Sequence, residues 1–120
     1  MEKIYIILPV YNDWKSLNKV LDILDSSLKN LKSKIYILII NDNSSKKFKK
    51  IKKFITFKKI IVLNLKKNMG SQKAIFIGLK FLQKKVKKHD KTLISILDSD
   101  GEDNPRMLKK LINLAKIKKN

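Results

Sequence analysis

Four apolar runs alternate along this chain with segments of helical periodicity, and this alternation limits the possible folds more than any other feature. The runs cover residues 4–8, 35–40, 60–63 and 92–97. They are largely continuous, which is typical of strands buried on both faces of a parallel sheet. The resulting order, strand then helix four times over, predicts an α/β fold in which a parallel sheet carries helices on both faces.

The predicted helices follow each of these strands. The first begins at Trp14, and its stripe of apolar side chains continues to Leu31. A short helix is predicted within the Lys-rich residues 46–59, and a longer one after Gly70. The last is predicted after Pro105, since proline suits the first turn of a helix.

Length and composition predict a single domain and exclude several classes of site. A chain of 120 residues can bury one hydrophobic core, and no repeat or Gly/Ser-rich linker divides it. The absence of cysteine excludes a disulfide framework, a zinc finger and a cysteine nucleophile. A single histidine excludes a His-rich metal site, and the three glycines form neither a Walker phosphate loop nor a GxGxxG turn. We therefore predict one Rossmann-like domain over residues 1–120.

The net charge of +19 comes almost entirely from lysine. Twenty-eight lysines accompany one arginine, 18 isoleucines and 10 asparagines. Proteins that bind phosphate groups normally use arginine as well, because its planar fork grips phosphate or guanine at two points. Lys, Ile and Asn share AT-rich codons, so a coding bias accounts for this mixture without any partner. A lysine-driven binder of nucleic acid or anionic membrane stays open as an alternative, and we expect no specific nucleic-acid recognition.

The sequence also predicts where the protein is found. No apolar stretch reaches the about 20 residues that span a bilayer. Residues 1–10 are apolar, but they are too short and lack the small-residue cleavage site of a secretory signal. We expect a cytoplasmic protein, with association to the cytoplasmic membrane surface as a further expectation.

Acidic side chains gather where the predicted strands end, which is where open α/β sheets bind ligands. Asp98, Ser99 and Asp100 directly follow the fourth strand. Two carboxylates separated by one residue offer the hard oxygen ligands that Mg²⁺ or Mn²⁺ prefers, with further ligands from water and substrate phosphates. The structural alternative is a capped loop whose carboxylates are solvated.

Other strand-end residues each combine a candidate binding role with a structural alternative. Asp42 could accept hydrogen bonds from a nucleobase, or it could form an Asx turn. Tyr11 could stack on a base, or it could pack within its loop. Lys73 lies in the first turn after Gly70, where helix amides and a positive side chain could meet a phosphate.

Four motifs follow one another along the chain, each at the end of a predicted strand. They are Ile7-Leu8-Pro9-Val10-Tyr11-Asn12-Asp13, Ile40-Asn41-Asp42-Asn43-Ser44, Asn68-Met69-Gly70-Ser71-Gln72-Lys73-Ala74 and Leu97-Asp98-Ser99-Asp100-Gly101-Glu102-Asp103-Asn104-Pro105. Taken together they resemble the family 2 glycosyltransferases, which have the glycosyltransferase-A fold. The resemblance is greatest to the polyprenyl-phosphate sugar synthases, such as dolichol-phosphate mannosyltransferase and bactoprenol glucosyltransferase.

The resemblance implies that these strand ends bind a nucleoside diphosphate sugar, with uridine or guanosine as the nucleoside. Asp42 would hold the base, and Asp98 would approach the ribose and the metal. Ser99 would offer backbone contacts, and Asp100 would bind the divalent cation, Mg²⁺ or Mn²⁺, on the diphosphate. The residues expected to bind the nucleotide sugar are Pro9, Tyr11, Asp13, Asp42, Gly70, Lys73, Asp98, Ser99 and Asp100, with Asp98 and Asp100 as the metal ligands.

The sequence departs from the family pattern in several places. Asp13 stands where the family usually has Glu, Asn41 replaces the first acid of its turn, and Asn43 replaces a glycine. Family members also continue into a second half that binds the acceptor and carries the catalytic base, so no catalytic residue is assigned. The resemblance implies sugar transfer to an acceptor such as a polyprenyl phosphate. The alternative is a non-catalytic or truncated donor-binding module that needs a partner chain.

Overall fold

The computed structural model describes residues 2–48, 53–86 and 91–98, together with Pro105, Leu108 and Ile112. Its elements are β1 (Lys3–Val10), α1 (Trp14–Ser27), β2 (Lys34–Asn41), β3 (Phe57–Asn64), α2 (Ser71–Lys85) and β4 (Thr92–Ile96). All four strands predicted from the sequence are therefore confirmed. Leu108 and Ile112 are helical and buried, as predicted for the last helix, whose other residues lie outside the described part of the chain.

The four strands form one parallel sheet in the order β3-β2-β1-β4. β1 pairs with β2 on one side and with β4 on the other, so that Ile7 is level with both Leu38 and Ile96. β1 and β2 are buried over most of their length, which is why their apolar residues follow one another without a break. The α/β fold with a Rossmann-like parallel sheet is confirmed.

The two faces of the sheet carry separate hydrophobic clusters. Successive side chains of a strand point to opposite faces, so Ile6 belongs to one cluster and Ile7 to the other. The first cluster includes the apolar side of α1 and Leu108, whereas the second includes Ala74 of α2. Helices therefore cover both faces, as the alternation of the sequence predicts.

α1 packs on the sheet through the apolar stripe that predicted it. Leu17, Leu21 and Leu24 are fully buried, and burial of each such side chain contributes about 1.5–3 kcal/mol. The helix ends at Ser27, about one turn before the end predicted at Leu31.

None of the helices formed by the described residues has both the length and the apolar character needed to cross a bilayer.

The short helix predicted within residues 46–59 is wrong for the described residues of that stretch, none of which is helical. Instead, Asp25 of α1 accepts two backbone N–H groups of residues 55–56, at 3.1 and 2.7 Å, and so fixes the turn that leads into β3. Phe48 packs against Trp14, with ring centroids 5.1 Å apart. The aromatic side chains of this stretch thus cover the α1 face without forming the face of a helix.

The two edge strands expose different side chains. β3 exposes Lys58 and Lys59, and charged lysines discourage an edge strand from pairing with another chain. β4 exposes Ile94 and Ile96 to 38% and 46%. Both are level with β1 residues of the second cluster, but α2 packs mainly on β1 and β2. The described residues therefore leave an apolar strip of β4, Ile94 and Ile96, open to solvent.

Candidate functional site

The strand order brings the predicted strand-end residues to one edge of the sheet. The chain leaves β1 toward β2 and β3 but returns to β4 on the other side of β1, and sheets of this kind bind ligands where that direction changes. An open cleft of about 160 Å³ lies there. Its described lining residues are Pro9, Val10, Tyr11, Asp13, Asp42, Ser71 and Asp98. Five of the residues predicted to bind a ligand are thus brought together.

The loop after β1 forms one wall of this cleft. Pro9 is buried at the end of the strand, whereas the Tyr11 side chain is 54% exposed and accessible to a ligand. Asn12 follows with a φ of 62°, in the left-handed region that asparagine tolerates better than most residues. The chain turns at Asn12 and places Asp13 at the start of α1.

Asp13 is the N-cap of α1. Its Oδ2 accepts the Ser16 hydroxyl at 2.7 Å, and its Oδ1 accepts the Ser16 backbone N–H at 3.2 Å. These two hydrogen bonds, the hydroxyl one first, favour the charged carboxylate and lower the pKa of Asp13 below its usual 3.8. The charges of Lys15 and Lys19 act in the same direction.

Asp13 should make a small, pH-dependent contribution to stability. Because its pKa is lower in the folded chain, the contribution is complete above about pH 5 and disappears as the pH falls through the folded pKa. The carboxylate is exposed and its charge is screened, so we expect less than about 1 kcal/mol. Urea unfolding of the wild type and of Asp13→Asn, which keeps an equally good cap, should differ at neutral pH and converge in acid. A difference that grows in acid would contradict this account.

Asp42 joins the end of β2 to the start of α2. The residue is 4% exposed, and its carboxylate oxygens accept the backbone N–H groups of Met69 and Gly70 at 2.7 and 2.9 Å. An ionised carboxylate has about four acceptor positions, so these two bonds leave capacity for a ligand in the cleft. The turn-forming role considered for Asp42 is taken by Asn41, whose Oδ1 accepts the N–H of Ser44, three residues on, at 3.0 Å.

The start of α2 lies beside the cleft. Gly70 is the N-cap, with a φ of 87° that glycine adopts without strain, and it offers no side chain to cap the first turn. First-turn N–H groups of a helix lack partners within the helix and attract anions. Ser71 lines the cleft, whereas Lys73 is exposed in the same turn and is not among the described lining residues.

β4 leads directly to Asp98, which is partly buried and lines the cleft. Ser99 and Asp100 lie outside the described residues, so their part in a metal site stays a prediction. In the described ranges, no group of three His, Cys, Asp or Glu side chains could hold a metal ion by itself. Mg²⁺ bound with a substrate phosphate needs only one or two protein carboxylates, so Asp98 remains suited to that role.

Three further residues belong to the cleft region although the sequence did not predict a role for them. Val10 and Ser71 line the cleft, and each is adjacent in sequence to a residue that was predicted to bind. Asn12 supports the cleft through contacts with the loop after β2. The sequence feature that could have identified Asn12 is its position within the first of the four motifs.

Comparison with known proteins identifies the family of this chain. The sequence profile of glycosyl transferase family 2 matches residues 5–119. The chain belongs to this family. This member of glycosyl transferase family 2 is similar to the undecaprenyl-phosphate 4-deoxy-4-formamido-L-arabinose transferase of Proteus mirabilis (strain HI4320), with 26% identity over 118 residues. The alignment covers 96% of the chain and 34% of that relative, so the chain spans roughly one third of the relative's length.

The two asparagines that depart from the family pattern have structural explanations. Besides accepting the Ser44 N–H, Asn41 donates its Nδ2 to Asn64 Oδ1 at 2.8 Å and so links the ends of β2 and β3. An ionised Asp at position 41 has no hydrogen to donate in that contact. Asn43 has a φ of 59°, and asparagine is one of the few residues besides glycine that adopt this conformation routinely. Both replacements therefore preserve the turn.

Proposed function

We propose that this glycosyltransferase binds a nucleoside diphosphate sugar, UDP- or GDP-linked, together with a divalent cation, for transfer of the sugar to an acceptor such as a polyprenyl phosphate. The observation that carries the proposal is the cleft, where Tyr11, Asp42 and Asp98 come together from three different strand ends. It lies at the position where open α/β sheets bind nucleotides.

The walls of the cleft suit the parts of such a donor. Tyr11 offers an exposed ring to the base, and Asp42 has acceptor capacity left for the base's N–H groups. The start of α2, with Ser71 at the cleft and Lys73 in the same turn, suits the negative diphosphate. Donor recognition is thereby divided among the loops after β1, β2 and β3.

The oxygen donor at the end of β4 fits a hard divalent cation. Asp98 brings a carboxylate into the cleft, and Mg²⁺ and Mn²⁺ prefer such oxygens in combination with water and substrate phosphates. We propose Asp98 and Asp100 as the protein ligands. When bound, the cation offsets the charge that develops on the departing diphosphate. The chain's own residues hold and orient the donor.

The acceptor is proposed from the relative, whose name specifies undecaprenyl phosphate. Because the chain covers 34% of that relative, the complete transfer reaction is part of the proposal, and no catalytic base is assigned. A polyprenyl-phosphate acceptor implies work at the cytoplasmic membrane surface. The charge of +19 favours approach to an anionic surface.

Calorimetric titration tests donor binding. With Mn²⁺ present, the wild type should bind UDP or GDP, and chelation of the metal should weaken that binding. Asp98→Asn should weaken it about tenfold, or about 1.4 kcal/mol, because the variant loses a charged metal ligand. Asp22→Asn, the same change on the exposed side of α1, should leave the affinity unchanged. A wild type that binds neither nucleotide in Mn²⁺ would overturn the proposal.

A donor-binding module that acts with a partner chain is the second candidate, and the open apolar strip of β4 favours it. Ile94 and Ile96 are exposed on an edge strand, and edges of this kind accept further strands. Incubation with UDP- and GDP-sugars, Mn²⁺ and a short polyprenyl phosphate separates the candidates. Donor binding without release of nucleoside diphosphate supports the module, whereas turnover by the isolated chain excludes it.

A further inference from the structure

Asn12 connects two walls of the cleft. Its backbone N–H donates to the Ser44 hydroxyl at 2.8 Å. Its side-chain Oδ1 accepts the Ser45 hydroxyl at 3.2 Å and the Lys46 backbone N–H at 3.1 Å. One residue of the loop after β1 therefore holds three consecutive residues of the loop after β2.

The position of Asn12 relates these contacts to the ligand site. The residue stands between Tyr11 and Asp13, both of which line the cleft. The loop that it holds follows Asp42, which also lines the cleft and anchors the start of α2. A displacement of the Asn12 contacts would therefore change the separation between residues that the proposed donor touches on both loops.

We infer that Asn12 is a positioning residue of the donor site, whose contacts with Ser44, Ser45 and Lys46 hold the two loops in the arrangement that binds nucleotide. The inference rests on the proposed function. Asparagine meets both demands of the position, because it tolerates a φ of 62° and supplies an amide oxygen as acceptor.

The Asn12 side chain acts on pre-organisation of the site more than on overall stability. The loop after β2 is fastened a second time by Trp14, whose Nε1 donates to the Lys46 carbonyl at 2.7 Å and whose ring packs on Phe48. Without the Asn12 side chain, the loop stays attached but gains freedom. The apparent Kd of a ligand rises in inverse proportion to the fraction of molecules in the binding-competent arrangement.

Two substitutions separate the amide oxygen from the backbone conformation. Asn12→Gly keeps the positive φ and removes Oδ1, whereas Asn12→Asp keeps an acceptor for both donors. We expect Asn12→Gly to lower the fraction of molecules in the binding-competent arrangement to about one tenth. In Mn²⁺ its Kd for UDP or GDP should therefore rise about tenfold. The same variant should speed amide hydrogen exchange at Lys46. Asn12→Asp should restore both values toward wild type.

The control is Asn30→Gly, the same substitution in the exposed turn after α1, which should change neither the Kd nor the exchange at Lys46. A purely structural role of Asn12 predicts a lower Tm with an unchanged Kd at a temperature where the variant is folded, and that result would overturn the inference. Unchanged exchange at Lys46 in Asn12→Gly would overturn it as well. If the wild type binds no nucleotide, the proposed function fails and the donor-positioning role falls with it, while the exchange measurement still decides whether Asn12 holds the loop.

Discussion

Replacement of Asp42 by alanine should lower the free energy of unfolding by about 3 kcal/mol, because hydrogen bonds to charged groups contribute about 1.5–3 kcal/mol each. The variant loses two of them at once, those from the N–H groups of Met69 and Gly70. Gly70 has no side chain with which to compensate for this loss at the start of α2. Urea unfolding at neutral pH measures the change, and amide exchange at Met69 and Gly70 should speed in parallel.

Two further variants make the Asp42 measurement specific. Asp42→Asn keeps one acceptor oxygen, so its stability should lie between that of the wild type and that of Asp42→Ala. Asp22→Ala removes an exposed carboxylate from α1 and should change stability by less than about 0.5 kcal/mol. If Asp42→Ala were as stable as Asp22→Ala, the anchor would contribute nothing. Loss of the α2 anchor lowers nucleotide affinity even when Asp42 makes no contact with the base. The affinity of the Asp42 variants is therefore measured under conditions in which they are folded.

The strands and the first helix could be predicted because their signals are local. β1 is a continuous apolar run that ends near Pro9, and α1 is an apolar stripe that begins after a capping Asp13. The helix predicted within residues 46–59 is wrong for the described part of that stretch, residues 46–48 and 53–59, for the opposite reason. Phe48 packs on Trp14, a partner distant in the sequence, and a sequence pattern does not say where such a partner lies.

The site could be predicted only as a set of strand ends. Which ends meet depends on the strand order, and the position of β4 beside β1 is what brings Asp98 to the loop that carries Tyr11. The role of Asp42 as the hydrogen-bond acceptor for the start of α2 had no signal in the sequence, because its partners are backbone N–H groups 27 and 28 residues further along the chain. Every residue except proline has such a group. Asn12 is similar, since two of its three contacts involve backbone N–H groups.

α2 lies close to the sheet at Gly78, and the lack of space there explains why a glycine stands within the helix. A β-carbon at this position would lie 2.9 Å from Ile40 Cδ1, 3.3 Å from Ile40 Cγ1 and 3.5 Å from Ile7 Cγ2. Both isoleucines are fully buried, and side chains in a close-packed core have little room to move aside. Glycine is otherwise unfavourable within a helix, by about 1 kcal/mol relative to alanine.

Gly78→Leu should therefore lower the free energy of unfolding by about 3 kcal/mol, at the upper end of the usual cost of overpacking. Gly78→Ala should cost less, because the better helix propensity of alanine offsets part of the clash.

A double-mutant cycle identifies the clash. Ile40→Val removes Cδ1, so its combination with Gly78→Ala should cost about 1 kcal/mol less than the sum of the two single variants. Ile39→Val is the matched control, because Ile39 faces α1, and its combination with Gly78→Ala should be additive. Additivity in both pairs would show that the contact between Gly78 and Ile40 does not limit how closely α2 packs on the sheet.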